Sequence, residues 1–186
     1  MSTAGASIDI LVVSGSSRQG SLNTRLAHLI AVSSPADRVT VVSDLDLLPF
    51  YDGDVEGRGT PTPVAALRAA AHAADLVVVV TPEYNGTIPG LLGNAVDWLS
   101  RPARRGVLHG KPVLVLSASP GQGGGARAAE HLRTVLGRLG AVVHPESLSV
   151  GSAHERLTLD LDGPPMAQLA VLLAAAVQHH PLTKLA

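Results

Sequence analysis

The residues that decide the fold are Ser14–Leu26, SGSSRQGSLNTRL, which follow the apolar run Ile8–Val13. A buried strand that ends in a loop of Gly, Ser, Arg and Asn before a helix suits a phosphate group, because first-turn amides and the helix dipole point at the anion. The glycines let the backbone approach the anion closely, and the guanidinium of Arg18 matches phosphate oxygens. The same residues also suit an ordinary strand-to-helix turn with Ser21 as the N-cap. We therefore predict a strand, a phosphate-binding loop and a helix, with the plain turn as the alternative.

Two common phosphate-binding patterns do not match this loop. The dinucleotide pattern G-x-G-x-x-G fails because Ser17 occupies the position of the second glycine. The nucleoside-triphosphate pattern G-x-x-x-x-G-K-[ST] fails because Ser21 stands where lysine is needed. A loop rich in hydroxyl groups with one arginine instead favours a terminal phosphate monoester, such as that of FMN.

Composition and charge exclude several classes of protein. The chain has 186 residues, a hydrophobic content of 46% and a net charge of -1, which indicate one globular domain over residues 1–186 and no nucleic-acid-binding surface. The absence of cysteine excludes disulfides, iron–sulfur clusters and thiolate metal sites. No window is long and apolar enough for a membrane span, and residues 1–7, which we expect to be disordered, lack the basic start of a signal peptide. We therefore expect a cytoplasmic protein.

Strand-like and helix-like segments alternate along the chain. The continuous Val, Leu and Ile runs are typical of parallel strands that are covered on both faces. Five strands alternating with five helices predict a doubly wound α/β sheet with right-handed crossovers. The predicted strands are Ile8–Ser14, Arg38–Ser43, Leu76–Thr81, Val113–Ser117 and Val142–His144. The predicted helices are Leu22–Val32, Pro63–Ala73, Leu91–Leu99, Gly124–Leu139 and Pro165–His179.

Local signals place some of the boundaries. Thr62 before Pro63 predicts an N-cap followed by proline at the first helical position. Gly140 predicts the end of the fourth helix. The long connection Asp44–Pro61 includes the apolar residues 47–51, and a loop of this length in a compact domain is usually functional or lies at an interface.

Loops of unusual composition follow three of the predicted strands. They are the Ser/Arg loop, Thr81–Gly90 (TPEYNGTIPG) and Ser117–Gly125 (SASPGQGGG). Ligands of a doubly wound sheet bind beyond the carboxyl ends of its strands, which is where these loops lie. The prolines and glycines of the second loop fix one backbone path, so that its amides and carbonyls can frame a planar ligand. The alternative for this loop is a structural turn before the next helix.

Three motifs together are similar to those of a known family. The stretches GSSRQGSLN (15–23), PEYNGTIPGLLGNAVDWLSR (82–101) and KPVLVLSASPGQGGGARA (111–128) resemble the NADPH-dependent FMN reductases, the flavodoxin-like group that includes quinone, azo-dye and chromate reductases. The resemblance extends from Ile8 to about Val150. It implies a flavodoxin-like, five-stranded parallel sheet of order 2-1-3-4-5 with helices on both faces, and FMN bound at the three loops.

The resemblance also implies which residues bind the cofactor. On the first loop these are Ser16, Arg18, Ser21, Leu22 and Asn23, of which the four polar residues would hold the phosphate. On the second loop, the residues that would line the edge of the isoalloxazine ring, largely through backbone groups, are Pro82, Glu83, Tyr84, Asn85 and Gly86. Ser117 would contact the far side of the ring. Because a flavin accepts hydride without a protein acid or base, no catalytic side chain is expected.

The expected function is that of an FMN-dependent oxidoreductase that passes hydride from NADPH or NADH through FMN to a small acceptor in a ping-pong mechanism. The acceptor would be a quinone, a flavin, an azo compound or a metal oxyanion. The resemblance implies a homodimer or homotetramer, and the apolar residues 47–51 favour the same. The alternative is a non-enzymatic electron-transfer flavodoxin, whose strongly acidic surface and ring-flanking aromatic residues this chain lacks.

Three further features suit weaker alternatives. Ser119 lies one residue away from the hydrolase pattern G-x-S-x-G, but Pro120 removes the backbone N–H that such an enzyme needs. The residues that would complete its triad are Asp160, Asp162 and His179. The eight histidines show no metal-ligand spacing, so we expect no metal site. Residues 101–105 include three arginines, which fit a solvated surface or a contact with a phosphate or a partner.

Overall fold

A single parallel sheet organises the fold. The computed structural model describes residues 7–34, 36–157 and 163–178, and in these ranges the sheet has six strands. They are β1 (Asp9–Ser14), β2 (Arg38–Val42), β3 (Leu76–Thr81), β4 (Pro112–Ala118), β5 (Val142–Val143) and β6 (Leu148–Val150). The main path runs β2-β1-β3-β4-β5, which confirms the predicted flavodoxin-like order. Of residues 1–7, for which disorder was expected, only Ser7 lies within the described residues.

The fifth position of the sheet is shared by two short strands. β5 pairs with Pro112 and Val113 at the beginning of β4, whereas β6 pairs with residues 116–118 at its end. The sequence predicted β5 but not β6. A run of three residues behind Pro145 is too short to give a strand pattern of its own.

The five predicted helices are present, and two short helices accompany them in the described residues. The helices are α1 (Leu22–Ser33), α2 (Gly53–Arg58), α3 (Thr62–Ala73), α4 (Gly90–Leu99), α5 (Ala126–Arg138), α6 (Ala153–Arg156) and α7 (Pro164–Gln178). The connection Asp44–Pro61, predicted as a loop, contains α2 and a 3-10 turn at Leu45–Leu47. The end predicted for the last helix, His179, lies outside the described residues.

Four of the five predicted helix starts differ from the structure. Helices α4 and α7 begin one residue earlier than predicted, at Gly90 and Pro164, and the other two differences have a local cause. Thr62 is the first residue of α3, and Pro61 occupies the N-cap position without a side-chain hydrogen bond. Helix α5 begins at Ala126 rather than Gly124, because Gly124 and Gly125 have φ of +62° and +86° and cannot belong to a right-handed helix. Gly140, with φ of +85°, follows α5 as predicted.

Alternate residues of the central strands enter two cores. Val12, Val78 and Leu116 pack on one face of the sheet, together with residues of α1 and α7. Leu11 and Val79 pack on the other face, together with residues of α3, α4 and α5. Because both faces are covered, the central strands β1, β3 and β4 are apolar over most of their length, as predicted. Within the ranges given above, no helix is long and apolar enough to cross a membrane.

Candidate active site

The three unusual loops meet at one edge of the sheet. Ser14, the last residue of β1, pairs with Val80, and Thr81 at the end of β3 pairs with Ser117 of β4. All strands are parallel, so the loops that follow β1, β3 and β4 leave the sheet at the same side. Loop 1 is residues 15–21, loop 2 is residues 82–89 and loop 3 is residues 119–125.

Loop 1 lies directly against loop 2. The N–H of Gly15 donates to the carbonyl oxygen of Val80 at 2.8 Å. A Cβ atom on Gly15 would lie 3.0 Å from Leu92 Cδ2 and 3.2 Å from Pro82 Cδ. Glycine therefore lets the chain pass close to the next strand before it turns towards α1.

Hydroxyl groups hold the shape of loop 1 from inside. Ser21 is the N-cap of α1 and accepts from the N–H of Thr24 at 3.3 Å. The hydroxyl of Thr24 lies 2.8 Å from Ser14 Oγ and donates to the carbonyl oxygen of Ser16 at 3.1 Å. Ser16 and Ser21 are both buried. The capping role considered for Ser21 is thus real, and it leaves the loop with a fixed backbone.

Arg18 is the exposed cation of this loop. Its side chain is exposed, and its Nη2 makes one long contact of 3.5 Å to the carbonyl oxygen of Gly20. Within the described ranges, the arginines in ion pairs are Arg38, Arg68 and Arg133. The guanidinium of Arg18 is therefore available to an incoming anion.

Asn23 connects the first turn of α1, directly after loop 1, with the end of β4, directly before loop 3. Its Nδ2 donates to the carbonyl oxygen of Ala118 at 3.0 Å, and its Oδ1 accepts from the N–H of Ala118 at 3.0 Å. The side chain is buried. The family resemblance implies that this carboxamide holds the phosphate. In the structure, both of its polar atoms instead bond to the backbone of Ala118 and fix the end of β4.

A cavity of about 480 Å³ opens beside loop 1. Its wall consists of residues 16–21, Thr24, Arg25, His28 and Ser43. Three of the residues predicted to bind the phosphate, Ser16, Arg18 and Ser21, therefore line one space at the beginning of α1. Leu22 lies at the first position of α1, partly buried against the core.

Loop 2 is a tight hairpin. Tyr84 and Thr87 exchange two backbone hydrogen bonds of 3.0 Å, and the central residues Asn85 and Gly86 have φ of +53° and +78°. This is the Asn-Gly pattern of a type I′ turn. Tyr84 is 49% exposed, and Pro82 is buried behind it. The turn brings an aromatic ring and a fixed stretch of backbone to the same edge as loop 1.

Loop 3 approaches loop 2 through glycine. A Cβ on Gly125 would lie 3.2 Å from Ser117 Cβ and 3.7 Å from Glu83 Cβ. The hydroxyl of Ser117 donates to Ser149 Oγ at 2.9 Å, so it faces β6. Ser119 Oγ accepts from the N–H of Gly121 at 3.0 Å and stabilises the turn. The triad partners considered for Ser119 at positions 160, 162 and 179 lie outside the described residues.

The connection before α2 packs on α4. The indole N–H of Trp98 donates to the carbonyl oxygen of Pro49 at 2.7 Å, and Asn94 Oδ1 accepts from the N–H of Tyr51 at 2.7 Å. The rings of Tyr51 and Trp98 meet edge to face at 4.9 Å. Arg101, from the basic cluster, lies over the Tyr51 ring at 4.8 Å. Tyr51 is thus held by its own chain.

An ion pair fixes α2 to α3. Arg68 Nη2 lies 2.9 Å from Glu56 Oε1, and Tyr51 donates its hydroxyl proton to Glu56 Oε2 at 3.2 Å. The hydrogen bond from Arg68 holds the pKa of the Glu56 carboxyl below its usual value, with Tyr51 adding to this effect and burial opposing it. Arg68 also donates twice to the carbonyl oxygen of Trp98, at 3.1 and 2.9 Å.

Comparison with known sequences places the chain in a family. The family model described as NADPH-dependent FMN reductase matches residues 8–155. The chain belongs to this family. The match confirms the predicted resemblance and the predicted class of enzyme, an NAD(P)H-dependent oxidoreductase with FMN as its cofactor.

Individual relatives of this FMN reductase act on quinones or on acceptors in general, according to their names. A quinone reductase of Escherichia coli is 43% identical over 138 residues, which are 73% of each chain. A 2-hydroxy-1,4-benzoquinone reductase of a Burkholderia species is 37% identical over 158 residues, 84% of each chain. The solved structure of FerB, a flavoenzyme NAD(P)H:(acceptor) oxidoreductase from Paracoccus denitrificans, matches with a TM-score of 0.79 at 27% identity, covering 93% of this chain and 98% of that one.

The residues at the loop edge fit an FMN phosphate. The cavity wall supplies serine hydroxyls, an available guanidinium and the beginning of a twelve-residue helix. Gly15 and Gly125 leave out the two Cβ atoms that would crowd the loop junctions. Among the residues that the structure describes, no group of three or more His, Asp or Glu could hold a metal ion.

The sequence reasoning missed several residues of this reductase site. Thr24 stands three positions after the N-cap Ser21. The backbone N–H at that position usually donates to the side chain of the N-cap, so the sequence did contain a signal for Thr24. Ser149 carried no signal, because β6 was not predicted. The positions Arg25, His28 and Ser43 border the cavity only because α1 and the end of β2 lie side by side.

Proposed function

We propose that this chain is an NAD(P)H:quinone oxidoreductase that binds FMN across loops 1, 2 and 3. The observation that carries the proposal is the cavity at the beginning of α1, which is lined by Ser16, Arg18 and Ser21. The hairpin of loop 2 leaves the sheet at the same edge. The quinone reductases of Escherichia coli and of Burkholderia support quinones as the class of acceptor.

Each loop has a separate part in holding the cofactor. Loop 1 binds the phosphate through the hydroxyls, Arg18 and the first-turn amides of α1. Loop 2 presents the backbone of residues 82–86 to the edge of the ring, and loop 3, which follows Ser117 and Ala118, lies on the far side. The hydroxyl of Ser117 itself is bonded to Ser149, so Ser117 supports this side from within the sheet. Asn23 acts through Ala118, because its hydrogen bonds fix the position of loop 3 relative to loop 1. When bound, FMN supplies the group that accepts a hydride from NAD(P)H and donates it to the acceptor.

The protein then has to position the two substrates rather than to move protons. The half-exposed ring of Tyr84 on a fixed hairpin provides an apolar wall next to the site. We propose that NAD(P)H and the quinone use this same open face in turn, which is a ping-pong mechanism. The absence of cysteine from the chain suits the reducing cytoplasm, where we place the enzyme.

The enzyme is proposed to be a homodimer or homotetramer. In the single chain, Leu47 is 60% and Phe50 is 84% exposed, while Leu48 between them is buried. Two large apolar side chains exposed on one short segment indicate that another protein surface covers this segment. We propose that a second copy of this chain does so. Tyr51 contributes to the shape of this segment through its packing on Trp98.

Absorption spectroscopy and steady-state kinetics test the function. The purified chain, incubated with FMN and freed of excess flavin, should show a flavin spectrum that NADPH or NADH bleaches without oxygen and a quinone restores. Initial rates at several quinone concentrations should give parallel double-reciprocal lines. Intersecting lines would exclude the ping-pong scheme, and a chain that retains no flavin would contradict the proposed cofactor site.

A further inference from the structure

The cavity beside loop 1 is larger than the phosphate group that loop 1 is proposed to hold. Its volume is about 480 Å³. A phosphate group fills the space of only a few water molecules, each of which occupies about 30 Å³ in the liquid. The ring of FMN is proposed to lie at loops 2 and 3, and no residue of these loops lines the cavity. Beyond loop 1, the residues that line the cavity are Thr24, Arg25 and His28 of α1 and Ser43 directly after β2.

The lining of the cavity is basic. The cavity wall includes Arg18, Arg25 and His28 and no carboxylate. The ion pairs found within residues 7–34, 36–157 and 163–178 involve neither of these arginines. In the proposed FMN site, Arg18 and the beginning of α1 bind the phosphate. Arg25 is therefore a second cation in the cavity wall for which the FMN site provides no anion.

The helix places these side chains in one row. Arg25 follows the N-cap Ser21 by four residues, which is about 6 Å along the axis, and His28 follows one turn later. Long side chains of a helix lean towards its N-terminus. By this tendency we expect Arg25 to lean towards the phosphate end of the cavity, and Ser43 belongs to the same lining.

We propose that Arg25, with His28 and Ser43, forms a subsite for a second phosphoryl group beside the flavin phosphate. The inference rests on the FMN site proposed above. Two ligands carry such a group: FAD, through the phosphate of its AMP half, and NADPH, through the 2′-phosphate that NADH lacks. Arginine is suited to either, because its planar fork binds phosphate oxygens in pairs.

Binding measurements on the full chain test the subsite. The variants are Arg25→Gln and His28→Gln, and Arg138→Gln, on the exposed last turn of α5, serves as a control with the same loss of charge. The flavin-free chain is titrated with riboflavin, FMN and FAD by flavin fluorescence. The FMN-loaded chain is titrated with adenosine 2′,5′-bisphosphate and with AMP by calorimetry, and KM is measured for NADPH and NADH.

The two sources give different results. If FAD occupies the subsite, Arg25→Gln weakens FAD binding by about fivefold or more while FMN binding stays within about a factor of two. If NADPH occupies it, the same variant weakens the bisphosphate and raises the KM of NADPH to a similar extent, with AMP and NADH unaffected. Either result supports the subsite.

Two results would overturn it. One is that FAD, the bisphosphate and NADPH all remain unaffected by Arg25→Gln. The other is that FMN is weakened as much as FAD, which would assign Arg25 to the flavin phosphate itself. Failure of the unaltered chain to bind FMN in the first titration would instead contradict the proposed function.

Discussion

Asn23 and Ala118 form a reciprocal pair of hydrogen bonds across the site. The carboxamide of Asn23, in the first turn of α1, donates to and accepts from the backbone of Ala118, at the end of β4, with both distances at 3.0 Å. Both residues are buried. The position of the phosphate loop is thereby coupled to the loop that follows a strand two places away in the sheet.

Replacement of Asn23 should therefore affect stability as well as flavin binding. Asn23→Ala leaves the buried N–H and carbonyl of Ala118 without these partners, which costs about 1–3 kcal/mol for an unsatisfied group. We expect a lower free energy of unfolding in urea even without flavin, and weaker binding of both FMN and riboflavin. Gln168→Ala, at an exposed position of α7 away from the site, is the control. Full stability of Asn23→Ala would show that the pair does not brace the loops.

Arg18 should show the opposite behaviour. Its side chain is exposed and makes only a long contact to Gly20, so Arg18→Ala should leave the free energy of unfolding unchanged. The loss of a charge-assisted hydrogen bond should weaken FMN binding by about 1.5–3 kcal/mol. Riboflavin, which has no phosphate, should bind equally well to both proteins. Equal affinity of wild type and Arg18→Ala for FMN would show that the phosphate does not bind at Arg18.

These two residues also show what a sequence can and cannot predict. Both were predicted for the site because short polar groups and arginine in a strand–loop–helix stretch suit a phosphate. The use of Asn23 could not be predicted, because its partner Ala118 is 95 positions away and offers only backbone atoms. The apolar runs of β1, β3 and β4 were predicted because burial on both faces demands them.

Short elements were missed for a related reason. β6 and α2 gain their stability from their neighbours, β4 in one case and the Arg68–Glu56 pair in the other, rather than from a pattern of their own. The start of α5 was predicted two residues early, since the sequence GGG does not tell which glycines adopt positive φ.

The backbone of loop 2 should matter more than the carboxylate of Glu83. Gly86 has φ of +78° in the tight turn, a conformation that costs a residue with a side chain about 1–2 kcal/mol and a β-branched one more. Gly86→Val should weaken FMN binding and lower the rate of quinone reduction, whereas Glu83→Gln should change neither by more than about a factor of two. If Glu83→Gln abolished reduction with FMN still bound, Glu83 would have an acid–base role.

The Glu56–Arg68 pair predicts a dependence of stability on pH. The pKa of Glu56 is lowered from 4.5 in the folded protein, so its carboxylate stabilises the fold above pH 4.5 and this contribution is lost as the pH falls through the folded-state pKa. Glu56→Gln should lower the melting temperature at pH 7, and its difference from wild type should narrow below pH 4.5. Glu130→Gln, whose ion pair with Arg133 is exposed, should have little effect at either pH. If the difference in melting temperature between wild type and Glu56→Gln stayed constant down to pH 3, the ion pair would not be its cause.

The exposed apolar segment before α2 should control assembly. Phe50 is 84% exposed in the single chain. Val171, on α7, is 70% exposed and serves as a control of similar exposure at a different place on the surface. Phe50→Asp should shift the chain from a dimer or tetramer towards the monomer of 19.0 kDa in light scattering, because a buried contact cannot accommodate an unpaired carboxylate. Val171→Asp should leave the assembly intact. If Phe50→Asp remained an oligomer while Val171→Asp dissociated, the contact between copies would lie on α7, and a wild-type chain that scatters as a monomer would exclude the proposed assembly altogether.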